Sequence, residues 1–144
     1  AANFAEVTVD TYTGLVRVLE IVSVHDVGQA INPDFVEGQI HGGIQMGLGM
    51  ALSEELAFDE RTGAPKAEGF RKYHLLNAPD MPPIRIFLIE KGEEYGPFGA
   101  KSVGELAAVP IVPAAVNAVN HALGTFLTSL PLTPEKILSA LNPQ

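Results

Sequence analysis

The stretch Asn32-Pro33-Asp34-Phe35-Val36-Glu37-Gly38-Gln39-Ile40-His41-Gly42-Gly43-Ile44-Gln45-Met46-Gly47-Leu48-Gly49 reads as a helix that opens on an Asn cap with Pro at its first position and runs to about Glu55. A helix interior disfavours glycine by about 1 kcal/mol relative to alanine, so Gly38, Gly42, Gly43, Gly47 and Gly49 give up roughly 5 kcal/mol of local preference. Some contact must offset that loss. Gly38 and Gly42 stand four apart, as do Gly43 and Gly47, so each pair shares one helical face and admits another backbone or a flat ligand at close range. Close helix-to-sheet packing is the plainer alternative for the same spacing. Gln39, His41 and Gln45 sit among these glycines and the apolar Ile40, Ile44, Met46 and Leu48. If the segment is buried, as its composition suggests, each polar side chain needs partners, since an unsatisfied buried group costs about 1 to 3 kcal/mol. Either a ligand or neighbouring backbone would serve, and for His41 backbone is the favoured partner.

Upstream, Val7-Thr8-Val9-Asp10-Thr11-Tyr12 alternates, Thr13-Gly14 supplies a turn, and Leu15 to Val24 is rich in β-branched residues, which together predict a β-hairpin. Downstream, a stretch punctuated by Pro65, Pro79, Pro82 and Pro83 gives little regular structure before a strand at Ile84–Glu90. An alanine-rich helix follows from Pro110 to Leu123, closed by Gly124, which places Pro113 within the first four residues. Thr133-Pro134 announces a last short helix. Hairpin, helix, strand, helix in that order argues for one α/β (α+β) layered domain over residues 1–144, with a mixed sheet and two main helices.

The composition fits one globular domain: 144 residues, 47% hydrophobic and 18% charged. No apolar run reaches the roughly 18 residues a membrane span needs, and the first residues lack a signal-peptide layout, so a soluble, cytoplasmic protein is expected. The absence of cysteine rules out a disulfide framework, a thiolate metal site, a cysteine nucleophile and ligands for an iron–sulfur cluster within this sequence. With 9 basic against 17 acidic residues, net charge −8, and the basic residues scattered, neither nucleic acid nor an anionic membrane is an expected partner. The sequence starts at Ala1 rather than Met and leads straight into an alternating pattern, as though cut from something longer or processed.

A second departure from an ordinary fold is Gly96-Pro97-Phe98-Gly99-Ala100-Lys101-Ser102-Val103-Gly104-Glu105, where glycines free backbone N–H groups to approach a ligand just before a helix. It matches neither the phosphate-loop nor the dinucleotide pattern. On spacing alone Glu105 is a carboxylate in or before a first helical turn, a common arrangement favoured by the helix dipole.

Both departures, with their order and separation, resemble the C-terminal molybdenum-cofactor-binding region of the xanthine dehydrogenase and aldehyde oxidase family of molybdenum hydroxylases. The resemblance covers nearly the whole chain. It rests on Asp26-Val27-Gly28 with Ile31-Asn32-Pro33, on Glu37 through Gly49 with Ser53-Glu54-Glu55-Leu56, on Tyr73, on Gly96 through Glu105, and on Leu130-Pro131-Leu132-Thr133-Pro134-Glu135. The implied fold is the second molybdopterin-binding domain type.

The resemblance implies that Glu105 is the catalytic carboxylate, a general base acting on a hydroxyl held by molybdenum. It also implies that Gln39, with Gly38, and the loop Lys101, Ser102, Val103 and Gly104 bind the cofactor. That cofactor is a molybdenum-pterin, molybdopterin or its cytosine dinucleotide, whose sulfurs hold the metal, so no protein metal ligand is expected. Iron–sulfur clusters and FAD are expected only on partner domains or subunits, alongside the rest of the molybdenum-binding subunit. The implied reaction oxidises a small molecule, a purine, N-heterocycle or aldehyde, with water as oxygen source, and purines lead. This sequence has Ser102 where many relatives have Gly or Ala, and Leu106-Ala107 where relatives often have two prolines, changes that bear on the mouth of the pocket. The isolated chain is not expected to turn over. Competing readings are a non-catalytic assembly module of the same descent and, third, a simple phosphate- or nucleotide-binding domain.

Overall fold

The computed structural model describes residues 1–142. Strand β1 (Ala2–Val9) pairs antiparallel with β2 (Val16–Asp26), and β2 pairs parallel with β3 (Ile84–Ile89), giving a three-stranded mixed sheet in the order β1-β2-β3. Three α-helices lie among the described residues, α1 (Pro33–Leu52), α2 (Ala108–Leu123) and α3 (Pro134–Leu141). The α/β mixed-sheet expectation holds. The first strand lies upstream of the expected Val7–Tyr12, and the turn is wider, because the Asp10 carboxylate accepts from the backbone N–H of Tyr12 and Thr13 while Asp10 N–H closes the hairpin on the Leu15 carbonyl at 2.9 Å. Gly14 closes it at φ 76°, where any side chain would run into the Pro134 backbone.

Helix α1 starts as expected, with the Asn32 side chain accepting from Phe35 N–H. It stops at Leu52, short of Glu55, because the N–H groups of Ser53 and Glu54 both turn back onto the Gly49 carbonyl. Strand β3 ends one residue before the expected Glu90. Helix α2 begins at Ala108, two residues before Pro110, so Pro113 lies in the helix interior rather than its first turn. Its missing N–H removes the bond that the carbonyl of Val109, an exposed residue, would otherwise accept. Helix α3 is capped by Thr133 as expected.

The main core lies between one face of the sheet and the helices: Ile21 from β2, Ile40, Ile44, Leu48 and Ala51 from α1, and Ala107, Ile111 and Ala115 around α2, all buried. A second cluster of Val119, Leu132 and Ile137 seats α3. On the opposite face of the sheet Phe4 and Phe87 stand exposed, at 64% and 52%, on the two edge strands.

Ser23 and His25 are fully buried polar residues on β2. With the Asn3 amide nitrogen turned toward Ser23, its oxygen accepts from Ile111 N–H at 3.2 Å. The Ser23 hydroxyl then donates to His25 Nε2 at 2.6 Å, which leaves the proton of the neutral ring on Nδ1. Nδ1 has no partner among the described residues. Burial pushes the His25 pKa below its ordinary 6.5.

The native ring therefore stays neutral at pH values where the unfolded one already binds a proton. The stability it protects is complete above about 6.5 and declines as pH falls below that, until the native ring itself protonates, with a limiting slope of about 1.4 kcal/mol per pH unit. We expect Tm to drop further between about pH 7 and about pH 5 in the wild type than in His25→Leu. Parallel profiles would show that the imidazole carries none of the dependence.

Candidate active site

The site is assembled where the end of β2 meets the loop before α2. Past Asp26 the chain turns through Gly28 at φ 62°, and a side chain on Gly28 would collide with the Gly99 carbonyl. The two segments therefore lie backbone to backbone. Gln29 N–H donates to Gly99 O at 2.7 Å, Lys101 N–H donates to Val27 O at 2.9 Å, and Gly28 bridges Ala100. The Glu90 carboxylate accepts from Ala30 N–H at 3.0 Å and ties in the end of β3. In the same loop Phe98 takes φ 54°, a left-handed conformation that costs a bulky residue of the order of 1 to 3 kcal/mol, and its ring is exposed.

Lys101 Nζ lies 2.8 Å from Asp26 Oδ2 and 3.7 Å from Glu93 Oε2. Hydrogen bonding to Lys101 holds the Asp26 carboxyl below its ordinary value, and the bond to Asp26 raises the Lys101 ammonium above its own. Three residues on, the Gly104 carbonyl accepts from Gln39 Nε2 at 2.8 Å, so the α1 amide is tied to the backbone beside Glu105. The Glu105 carbonyl accepts from Ala108 N–H at 3.1 Å, which sets the entry to α2. Between these anchors the N–H groups of residues 102–105 pair with no other group among the described residues. The exposed Glu105 lines a recess of about 680 Å³ together with Gln39, Gly42, Met46, Met50 and Val109. A smaller recess of about 250 Å³ lies on the other side of Gln39, lined by Phe35, Lys101 and Val103.

The two glycine pairs of α1 divide the helix between them. Side chains at Gly43 and Gly47 would meet Ala107 and Ile111, so this pair admits α2 at close range. Gly38 and Gly42 have nothing within 4 Å of where a side chain would begin and lie on the open face. The expectation of a buried segment is thus corrected: α1 is buried on one side only. Gln39 and His41 are exposed, while Gln45 donates to the Leu76 carbonyl at 2.9 Å and serves the core.

Of the residues singled out in the sequence, Gln39, Gly104 and Glu105 come together on the larger recess, with Gly38 on the same open side of α1 and Ser102 exposed on the loop. The side chain of Lys101 is instead engaged by two carboxylates. Sequence reasoning assigned no role to Glu93, Met46 or Met50 at this site. Asp26 was quoted only as part of a block, and a partner 75 residues away gives no local signal.

The family model for the molybdopterin cofactor-binding domain matches residues 1–82. The chain belongs to that family. The match includes Gly38 and Gln39 and ends before the loop of Glu105. Among curated relatives, the putative xanthine dehydrogenase molybdenum-binding subunit of Escherichia coli is 37% identical over 135 residues, covering 94% of this chain and 18% of the relative. The nicotine 6-hydroxylase large subunit of Paenarthrobacter nicotinovorans is 41% identical over 137 residues, covering 93% and 17%. Among solved structures, quinoline 2-oxidoreductase from Pseudomonas putida 86 superposes with a TM-score of 0.90 at 35% identity, covering 96% of this chain and 18% of that one. The chain thus spans under a fifth of the length of these relatives.

The division of α1 gives a direct test. Gly47→Ala should destabilise by about 1 to 3 kcal/mol, since the added methyl meets the buried Ile111. Gly42→Ala, in open space, should gain up to about 1 kcal/mol of helix preference. Urea unfolding of the two variants compares them, and equal effects would show that the pairs are not distinct.

Proposed function

We propose that this chain is part of the catalytic molybdenum subunit of a xanthine dehydrogenase-like hydroxylase, in which it carries the general base, Glu105, and one wall of the cofactor site. The observation that carries this reading is the bond from Gln39 to the Gly104 carbonyl, which joins the two sequence blocks into one site beside Glu105.

The residues fit a molybdenum-pterin. The open backbone face at Gly38 and Gly42 admits a flat ring system, Gln39 keeps its carbonyl oxygen and second amide hydrogen for the ring's polar edge, and the unpaired N–H groups of residues 102–105 suit anionic ligand atoms. No cluster of three or more His, Asp or Glu able to hold a metal occurs among the described residues. When bound, the cofactor supplies the metal centre that takes up the electrons of the oxidation. Ser102, Val103 and Gly104 approach it chiefly through backbone, and Gln39 and Gly38 border it from α1.

The chain's own chemistry is proton transfer. A carboxylate placed over an apolar recess can accept the proton of the attacking oxygen as that oxygen bonds to an electron-poor substrate carbon, a role worth about 10² to 10⁴ in rate. Methionine and valine around Glu105 suit a flat N-heterocycle or purine better than a charged substrate. The names of the relatives, which include xanthine dehydrogenase and nicotine 6-hydroxylase, support that class, with aldehydes as the further possibility. The assembled enzyme would take its remaining cofactor contacts from the rest of the molybdenum subunit and pass electrons to iron–sulfur and FAD domains or subunits. No helix among the described residues is long and apolar enough to cross a membrane, and a cytoplasmic location is part of the proposal. A non-catalytic assembly module has no use for a carboxylate held at this place.

In the complete subunit, Glu105→Gln should retain molybdenum and pterin and lose turnover by about 10²-fold or more. Near-normal turnover at full cofactor content would remove Glu105 as base. Gln39→Ala should lower cofactor retention or activity by a smaller factor, about 10-fold, through the lost tie to Gly104 and the lost pterin contact. No change in either would leave Gln39 a purely local hydrogen-bond partner.

A further inference from the structure

We propose that Lys101 is a positioning residue, whose ammonium, braced between Asp26 and Glu93, fixes the loop that carries Glu105 and makes no contact with the cofactor. The inference rests on the reading of Glu105 as the base and departs from the expectation that Lys101 binds the pterin.

The five residues from Lys101 to Glu105 are hydrogen-bonded at their ends, and between those ends the Val103 side chain packs against the core. At the first end Lys101 N–H is bound to Val27 O, and Lys101 Nζ reaches Asp26 at 2.8 Å and Glu93 at 3.7 Å. At the other end Gln39 holds the Gly104 carbonyl and Ala108 N–H holds that of Glu105. With the intervening N–H groups unpaired among the described residues, no ladder fixes the path of the chain, and the location of the Glu105 carboxylate depends on the anchors and on the seating of Val103.

Asp26 is itself rigid, because it ends β2 and its other oxygen accepts from Gly28 N–H at 3.2 Å. The brace therefore refers the loop back to the sheet. An ammonium that turned to a cofactor phosphate would leave two carboxylates facing each other across the vacated space. The directions in which the Asp26 and Lys101 pKa values move keep both groups charged around neutral pH, so the brace holds under working conditions.

The test uses the complete, cofactor-loaded subunit with Lys101→Met, Lys101→Arg, Asp26→Asn, the Lys101→Met/Asp26→Asn double variant and Glu105→Gln. Molybdenum and pterin content, kcat and KM are measured for each. The expected result is that Lys101→Met keeps its cofactor and its KM while kcat falls about 10- to 100-fold, the scale on which a displacement of about 1 Å acts. Lys101→Arg, which can still reach both carboxylates, should recover most of kcat. Asp26→Asn should reproduce the loss, and the double variant should be no worse than either single one. Pterin lost in step with activity in Lys101→Met would make Lys101 a cofactor ligand and overturn the inference. Unchanged kcat in Lys101→Met, or additive losses in the double variant, would overturn it equally. If Lys101→Met does not fold, Asp26→Asn carries the same comparison. Glu105→Gln separates the two levels: an active Glu105→Gln enzyme ends the reading of the base, whereas an inactive one beside a normal Lys101→Met enzyme ends only the brace.

Discussion

The close approach of α2 to α1 is the contact on which the site depends. Ala107 and Ile111 enter the space that side chains at Gly43 and Gly47 would take, and both are fully buried there. Because the loop of Glu105 runs directly into α2, the depth of that contact decides how far Glu105 stands from α1. A bond as short as Gln39 to Gly104 can then form between the two elements. The helix preference given up at the glycines is offset by apolar burial on one side and leaves an open backbone surface on the other. One sequence feature thus serves packing and ligand access through residues that differ only in which face they occupy.

The loop is also held from the direction of the sheet. Gly28 lets residues 26–29 lie flat against residues 99–101, and those backbone bonds extend the sheet's order past the end of β2. The strained Phe98 fits this arrangement, since the bonds on either side of it prescribe its backbone angles. Glu105 is therefore located by two independent frames, the helix pair and the strand end, that meet within a few residues of it.

How much of this was legible in the sequence follows from the range of the interactions. Caps act within one helical turn, so Asn32 with Pro33 and Thr133 with Pro134 placed two helix starts correctly. Alternation and β-branched content found the hairpin and the third strand, but the first strand was placed at residues 7–12 while β1 runs Ala2–Val9, because the Asp10 side chain makes residues 10–13 the turn. The start of α2 was missed because Pro110 and Pro113 looked like an N-terminal signal, while the stability of its first turns comes from burial of Ala107 and Ile111 against α1. The half-exposed state of α1 was missed for a related reason: glycine and methionine look like core residues whichever way they face. Gln39 and Glu105 were singled out through several blocks in order, and the structure places both on one recess. The family match reinforces the first block, whereas the partnership of Lys101 with Asp26 and Glu93 required coordinates.

The outer face of the sheet has a practical consequence. Among the described residues nothing pairs with the backbone along the outer sides of the edge strands β1 and β3, and each presents a phenylalanine, Phe4 or Phe87, to solvent. Unprotected edges beside apolar side chains are templates for strand addition between molecules. Expressed as a separate piece, this segment would be prone to self-association at its sheet. Its solubility would respond more to a lysine introduced on β1 or β3 than to any change around Glu105.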